Sequence, residues 1–190
     1  MKLFKYYKVS VFILAISLMV GCSNAESTST DATAAEQPVK TASESELEKM
    51  FGPELINLAG EKVPVSELEG KTLGILFTAH WCPPCRAFSP VLVDVYNSLM
   101  KDGAEFEIIQ VSADRNAGEM QAYMKDIKMP WLALSFGNAK IQALNQRYKV
   151  RGIPTFIIID AKGKTITTDG RSDVIKSGKQ AFSDWTSKNK

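Results

Sequence analysis

The sequence predicts an α/β fold in which a central mixed β-sheet is flanked by helices. Three patterns carry this expectation. Runs rich in β-branched residues alternate along the chain with apolar stripes of helical period, the pattern of a sheet covered by helices. Residues 72–79 are apolar almost throughout, as a strand buried on both faces requires. Near the end, two strand candidates are joined by Lys162-Gly163-Lys164, and a hairpin there makes the sheet mixed and not purely parallel.

Taken in order, residues 55–58 are a short strand candidate, followed by a turn at Ala59-Gly60-Glu61-Lys62. After the apolar run at 72–79, Phe88, Val91, Leu92, Val95, Tyr96 and Leu99 fall at helical spacing and mark one face of an amphipathic helix. Residues 106–113, with Ile108, Ile109 and Val111, read as the next strand. Met120, Tyr123, Met124 and Ile127 form a second helical stripe stopped by Pro130, and Ile141, Leu144 and Tyr148 a shorter one. Residues 155–160 are a strand, 165–168 its hairpin partner, and Val174, Phe182 and Trp185 one face of a single closing helix. The expected order is therefore β-β-α-β-α-α-β-β-α.

The length of 190 residues suits one domain with an appendage, and a 45% hydrophobic fraction suits a packed core. Net charge is +2, but Lys2, Lys5 and Lys8 precede any acid, and the chain beyond residue 21 carries a slight acidic excess. No basic surplus remains to point to nucleic acid. The three cysteines, Cys22, Cys82 and Cys85, are too few for a disulfide scaffold. With His80 as the one histidine, the second pair of ligands that a structural zinc site needs is missing, so no metal is expected.

The N-terminus reads as an export signal over residues 1–21. The three lysines form a positive segment, and residues 9–20 are uncharged and mostly apolar. As a helix those twelve residues reach about 18 Å, short of a bilayer core of about 30 Å. The run ends in Leu18-Met19-Val20-Gly21-Cys22, which resembles a bacterial lipobox, with Met19 where leucine is usual. That resemblance implies lipidation of Cys22 and anchoring in the bacterial cell envelope, on the non-cytoplasmic side of a membrane. Residues 22–44 are polar, without aromatic residues or hydrophobic period, and read as a tether of roughly 25 Å average reach. The folded domain is expected over residues 45–190.

The chemistry concentrates in Trp81-Cys82-Pro83-Pro84-Cys85, between the buried strand and the first long helix. A Cys-x-x-Cys at such a junction reads as a redox pair. Cys82 falls at the helix N-cap, where free N–H groups and the macrodipole favour a thiolate. Pro83 falls at the first helical position, where its missing N–H costs least. Cys85, one turn in, is the candidate resolving thiol. A static bridge would close too short a loop to constrain the unfolded chain much, and half a zinc knuckle has no other half.

Four blocks carry a family resemblance: Phe-Thr-Ala-His-Trp-Cys-Pro-Pro-Cys-Arg-Ala-Phe-Ser-Pro at 77–90, Val-Ser-Ala-Asp-Arg at 111–115, Met-Pro-Trp-Leu-Ala-Leu at 129–134 and Gly-Ile-Pro-Thr at 152–155. Over roughly residues 55–171 the chain resembles the thioredoxin superfamily, and within it most the tryparedoxin and nucleoredoxin group. The resemblance implies a thioredoxin-like fold and dithiol–disulfide exchange without a cofactor beyond the Cys82–Cys85 disulfide. It places Ile153-Pro154 as the cis-proline loop facing the cysteines, with Trp81, Pro83 and Pro84 shaping the site. It also matches Pro90 to the proline that kinks the active-site helix. The chain departs from thioredoxins at Leu76, where they carry a buried carboxylate. His80 and Arg86 are candidates for tuning the pair.

The expected function is thiol–disulfide exchange with proteins of the cell envelope, served by an envelope dithiol donor or acceptor. The Pro-Pro dipeptide adds no donor to the Cys82 thiolate. This favours a reducing or intermediate potential within the range of about −270 to −120 mV of such proteins. Copper handling on the two thiolates and a non-catalytic envelope adaptor are the alternatives from other classes.

Overall fold

The computed structural model describes residues 44–187. The lipidation candidate Cys22, the export signal and residues 22–43 of the tether lie outside the described residues, as do 188–190. The chain enters at helix α1 (Glu46–Phe51), started by a capping box in which Ser45 and Glu48 satisfy each other's backbone N–H. Then come β1 (Glu54–Ile56), β2 (Lys62–Pro64), a 3-10 turn at Val65–Leu68, β3 (Thr72–Thr78), α2 (Pro83–Lys101), β4 (Phe106–Ser112) and α3 (Ala117–Ile127). They are followed by β5 (Leu132–Ala133), α4 (Lys140–Arg147), β6 (Thr155–Ile159), β7 (Thr165–Thr167), α5 (Gly170–Ser177) and α6 (Gln180–Ser187).

The seven strands form one sheet in the order β2-β1-β5-β4-β3-β6-β7. Strand β3 lies inside it, parallel to β4 and antiparallel to β6, with Ile75 opposite both Ile109 and Ile157. Every residue of β3 is buried, as its nearly continuous apolar run predicts. Successive side chains alternate between two cores. Leu76, Phe106, Ile108, Phe156 and Ile158 pack with α2, α3, α5 and α6 through Phe88, Tyr96, Tyr123, Val174 and Trp185. Leu73, Ile75, Phe77, Ile109 and Ile157 pack on the opposite face with Leu47 and Phe51 of α1 and Leu144 of α4. The mixed sheet with helices on both faces, expected from the pattern, is the architecture found.

The structure adds four elements to the expected order and corrects one. Helix α1, the 3-10 turn and strands β2 and β5 are too short for periodicity to show, at six residues or fewer. The expected single closing helix is two helices, because Gly178 at φ +54 leaves the right-handed helical region between α5 and α6. Val91 lies on the expected apolar stripe of α2 yet is 44% exposed. It faces Ile175 and Arg171 of α5 across a shallow groove that the helices leave open.

Candidate redox site

Strand β3 ends at Thr78 and helix α2 starts at Pro83, so the Cys-Pro-Pro-Cys segment caps the helix directly behind a strand fixed on both sides. Cys82 is the N-cap residue, in extended conformation, and the Cys85 N–H donates to its Sγ at 3.3 Å. This satisfies one orphan donor of the helix with a sulfur acceptor. Pro83 opens the helix, where no N–H is needed. Cys82 and Cys85 are disulfide-bonded, with Cα atoms 5.2 Å apart. Both are buried, Cys85 completely.

The Ile153–Pro154 peptide bond is cis. This loop leads into β6, which pairs with β3, and so faces the start of α2. Ile153 packs against Cys82, Cys85 and Ala79. Its carbonyl oxygen lies 3.7 Å from Cys82 Sγ. Pro154 is buried, while Pro83 and Pro84 are exposed. The two cysteines, the two prolines between them and the Ile153-Pro154 loop are thus brought to one place.

Trp81 remains half exposed, its indole Nε1–H donating to the Ala113 carbonyl at 3.0 Å just beyond β4. Arg86 is exposed on the first turn of α2, its N–H bonded to the Cys82 carbonyl at 3.1 Å. His80 is held from two directions. Its backbone N–H donates to Asp114 Oδ1 at 2.7 Å, and its ring stacks on Tyr123 of α3 with centroids 5.3 Å apart. His80 Nε2 lies 3.4 Å from Asp126 Oδ2. The imidazole contacts therefore run to α3.

Leu76, at the position of the thioredoxin carboxylate, is wholly buried in the core of the α2 face with Phe88 and Leu92. The polar groups of this region are the Gln110 amide, which lies beside Leu76 in the sheet and accepts from the Trp131 Nε1–H at 3.3 Å, and a set of hydroxyls. Ser89, on the same face of α2 as Cys85, sits 2.8 Å from the hydroxyl of Tyr123, and Thr78 Oγ1 reaches that hydroxyl at 3.5 Å. All three side chains are completely buried. Sequence reading missed this cluster because Tyr123 fits an apolar stripe equally well, and its hydroxyl adds nothing to periodicity. Asp114 was also missed as a support. It takes both the His80 N–H and the Ser112 hydroxyl, the latter at 2.8 Å. A lone acid at the carboxyl end of a parallel strand pair was the available signal.

Among the described residues no three or more His, Cys, Asp or Glu side chains gather as a metal site. Chemically, the arrangement can cycle between a disulfide and a dithiol, with the first sulfur at a helix N-terminus that stabilises its thiolate.

Comparison with known proteins agrees with this geometry. Residues 70–165 match a family model described as thioredoxin-like. Nucleoredoxin of Mus musculus is 44% identical over 129 residues, covering 67% of this chain and 29% of its own length. Nucleoredoxin of Xenopus laevis is 42% identical over 130 residues, covering 68% and 31%. The chain thus spans about a third or less of the curated nucleoredoxins it matches. Among solved structures, tryparedoxin from Trypanosoma brucei superposes with a TM-score of 0.66 at 35% identity, covering 74% of this chain and 97% of that one. With the sheet order, the disulfide at the head of α2 and half the sequence matching one family, the chain belongs to the thioredoxin-like family and is a redox protein of that kind.

Proposed function

We propose that this chain is a thiol–disulfide oxidoreductase of the bacterial cell envelope that reduces disulfides in other proteins. The observation that carries the reading is the Cys82–Cys85 disulfide at the N-terminus of α2, with the Cys85 N–H on Cys82 Sγ and the Ile153 carbonyl beside it. In the reduced chain the Cys82 thiolate attacks one sulfur of a substrate disulfide. A mixed disulfide forms, and the other substrate sulfur leaves as a thiolate and takes up a proton. Cys85, once deprotonated, attacks Cys82 Sγ, restores the Cys82–Cys85 bond and releases the second substrate thiol. Two electrons and two protons pass to the substrate, and an envelope dithiol donor returns them to the chain. The direction rests on the Pro83-Pro84 dipeptide, which offers Cys82 no charged donor. Titration of the purified chain in thiol buffers tests it. A potential nearer −270 than −120 mV, with turnover of a protein disulfide, is expected. A potential near the oxidising end, or no turnover, contradicts the reading.

The location rests on the N-terminal sequence. Residues 1–21 act as the signal, Cys22 carries the lipid, residues 22–44 form the tether and residues 45–190 the domain. Mass spectrometry of the membrane-extracted protein should find acylated Cys22 as the mature N-terminus. An intact Met1, or cleavage elsewhere, overturns this.

A further inference from the structure

A cavity of about 290 Å³ is lined by His80, Trp81, Arg86, Arg115 and Glu119. Two of these immediately precede Cys82, and Arg86 immediately follows Cys85. We propose that this cavity is a subsite for an acidic side chain next to the cysteine of the substrate protein that Cys82 attacks. The proposal rests on the oxidoreductase reading and names the kind of polypeptide it would favour.

The two guanidiniums come from different elements, Arg86 from the first turn of α2 and Arg115 from the loop after β4, and they line one cavity. Neither forms an ion pair with an acid among the described residues. The acids nearby are engaged. Asp114 is buried and takes the His80 N–H and the Ser112 hydroxyl. Glu119 is the one acid of the lining, and its Oε2 takes the Arg115 backbone N–H at 3.3 Å. Two guanidiniums therefore share the lining with a single carboxylate, while Asp126, outside the lining, lies 3.4 Å from His80 Nε2. The excess is local, because the chain beyond residue 21 is slightly acidic overall. Trp81 is a fixed wall, its indole tied to Ala113. Trp81 of the lining adjoins Cys82, and an extended peptide advances about 3.3 Å per residue, so the residues flanking a cysteine at Cys82 are the ones suited to reach the cavity. Arginine's planar fork suits a carboxylate there.

The test uses the full chain, reduced, and two peptides with one disulfide each. They are identical except that the residues flanking the attacked cysteine are Glu in one and Gln in the other. Single-turnover rate constants should favour the Glu peptide by about 1.5- to 5-fold, the range of charge pairs open to solvent. The preference should vanish at about 1 M salt, where the Debye length is about 3 Å. Arg115→Gln and Arg86→Gln should each lower the ratio, and Arg115→Glu should invert it. Lys101→Gln, an equal loss of charge at the far end of α2, should keep it. Binding is read separately on the oxidised chain with Cys→Ser versions of both peptides, through the NMR signal of the Trp81 indole N–H. The Glu version should shift that signal at concentrations where the Gln version does not. Equal effects of the two peptides on rate and on signal, or a Glu preference that survives both Arg→Gln changes, overturn the subsite and leave the oxidoreductase standing. If neither peptide oxidises Cys82 and Cys85, the oxidoreductase reading falls, and the indole signal still decides the subsite.

Discussion

The hydroxyl of Tyr123 lies 2.8 Å from Ser89 Oγ, joining α3 to α2 one turn beyond Cys85 in a region where both side chains are wholly buried. A buried polar group that loses its partner keeps the cost of leaving water. Ser89→Ala and Tyr123→Phe should therefore each destabilise the fold by about 1–3 kcal/mol. The double variant should cost less than the sum, because each change removes the other's partner. Urea denaturation of the four proteins measures this. Additive losses would mean the two hydroxyls do not depend on each other.

The two cysteines should separate cleanly in function. Cys85→Ser should accumulate mixed disulfides with partner proteins, visible on non-reducing gels, because the attack that releases the substrate is gone. Cys82→Ser should lose both trapping and turnover. Partners trapped through Cys85 in the Cys82 variant would reverse the assignment of nucleophile and resolving thiol.

Gly74 sits in the middle of β3, where a Cβ would come 2.5 Å from the Phe156 ring and 3.3 Å from Phe106. Phe156 is itself packed on Phe88 and Trp185, so its ring has little room to retreat. Gly74→Ala should cost about 1–3 kcal/mol by overpacking. Thermal or chemical denaturation reads the loss, and an unchanged midpoint would show that the core yields.

Glu107 of β4 accepts from the Tyr96 hydroxyl at 3.1 Å and from the Ile108 N–H at 2.9 Å. Burial pushes its carboxyl above the ordinary value of 4.5, and the hydrogen bonds and Lys71 only partly oppose this. The folded state thus prefers the protonated acid. The stability gained from that preference is complete below about 4.5, the unfolded value, and is lost as pH rises through the raised folded value. Glu107→Gln keeps an acceptor oxygen and has nothing to ionise. The wild type should lose stability relative to this variant as pH climbs from about 4.5 towards neutrality. Denaturation midpoints at several pH values check it, and a constant difference would contradict it.

The long elements were legible because their periodicity reports burial directly. The nearly continuous apolar run of β3, the stripe of α2 and the β-branched run of β6 are consequences of which faces meet the core. The pair of cysteines was legible because its chemistry needs that spacing at a helix start. What escaped was of two kinds. Strand β5 contributes two residues, and its place beside β4 is decided by tertiary pairing of Leu132 and Ala133 that leaves no local pattern. The contacts of Asp126 with His80 and of Tyr123 with Ser89 join residues 46 and 34 positions apart. Such contacts exist only once the sheet has brought α2 and α3 together.

Both outer strands of the sheet, β2 and β7, are three residues long. Strand β2 begins with Lys62 and ends with Pro64, which has no N–H to offer a neighbour. The pairing of β7 with β6 is interrupted by a register shift at Ile158 and Ile159. A second copy of the chain meeting either rim finds a charge, a proline or a distorted ladder in place of a template, so molecules crowded side by side resist joining their sheets into aggregates.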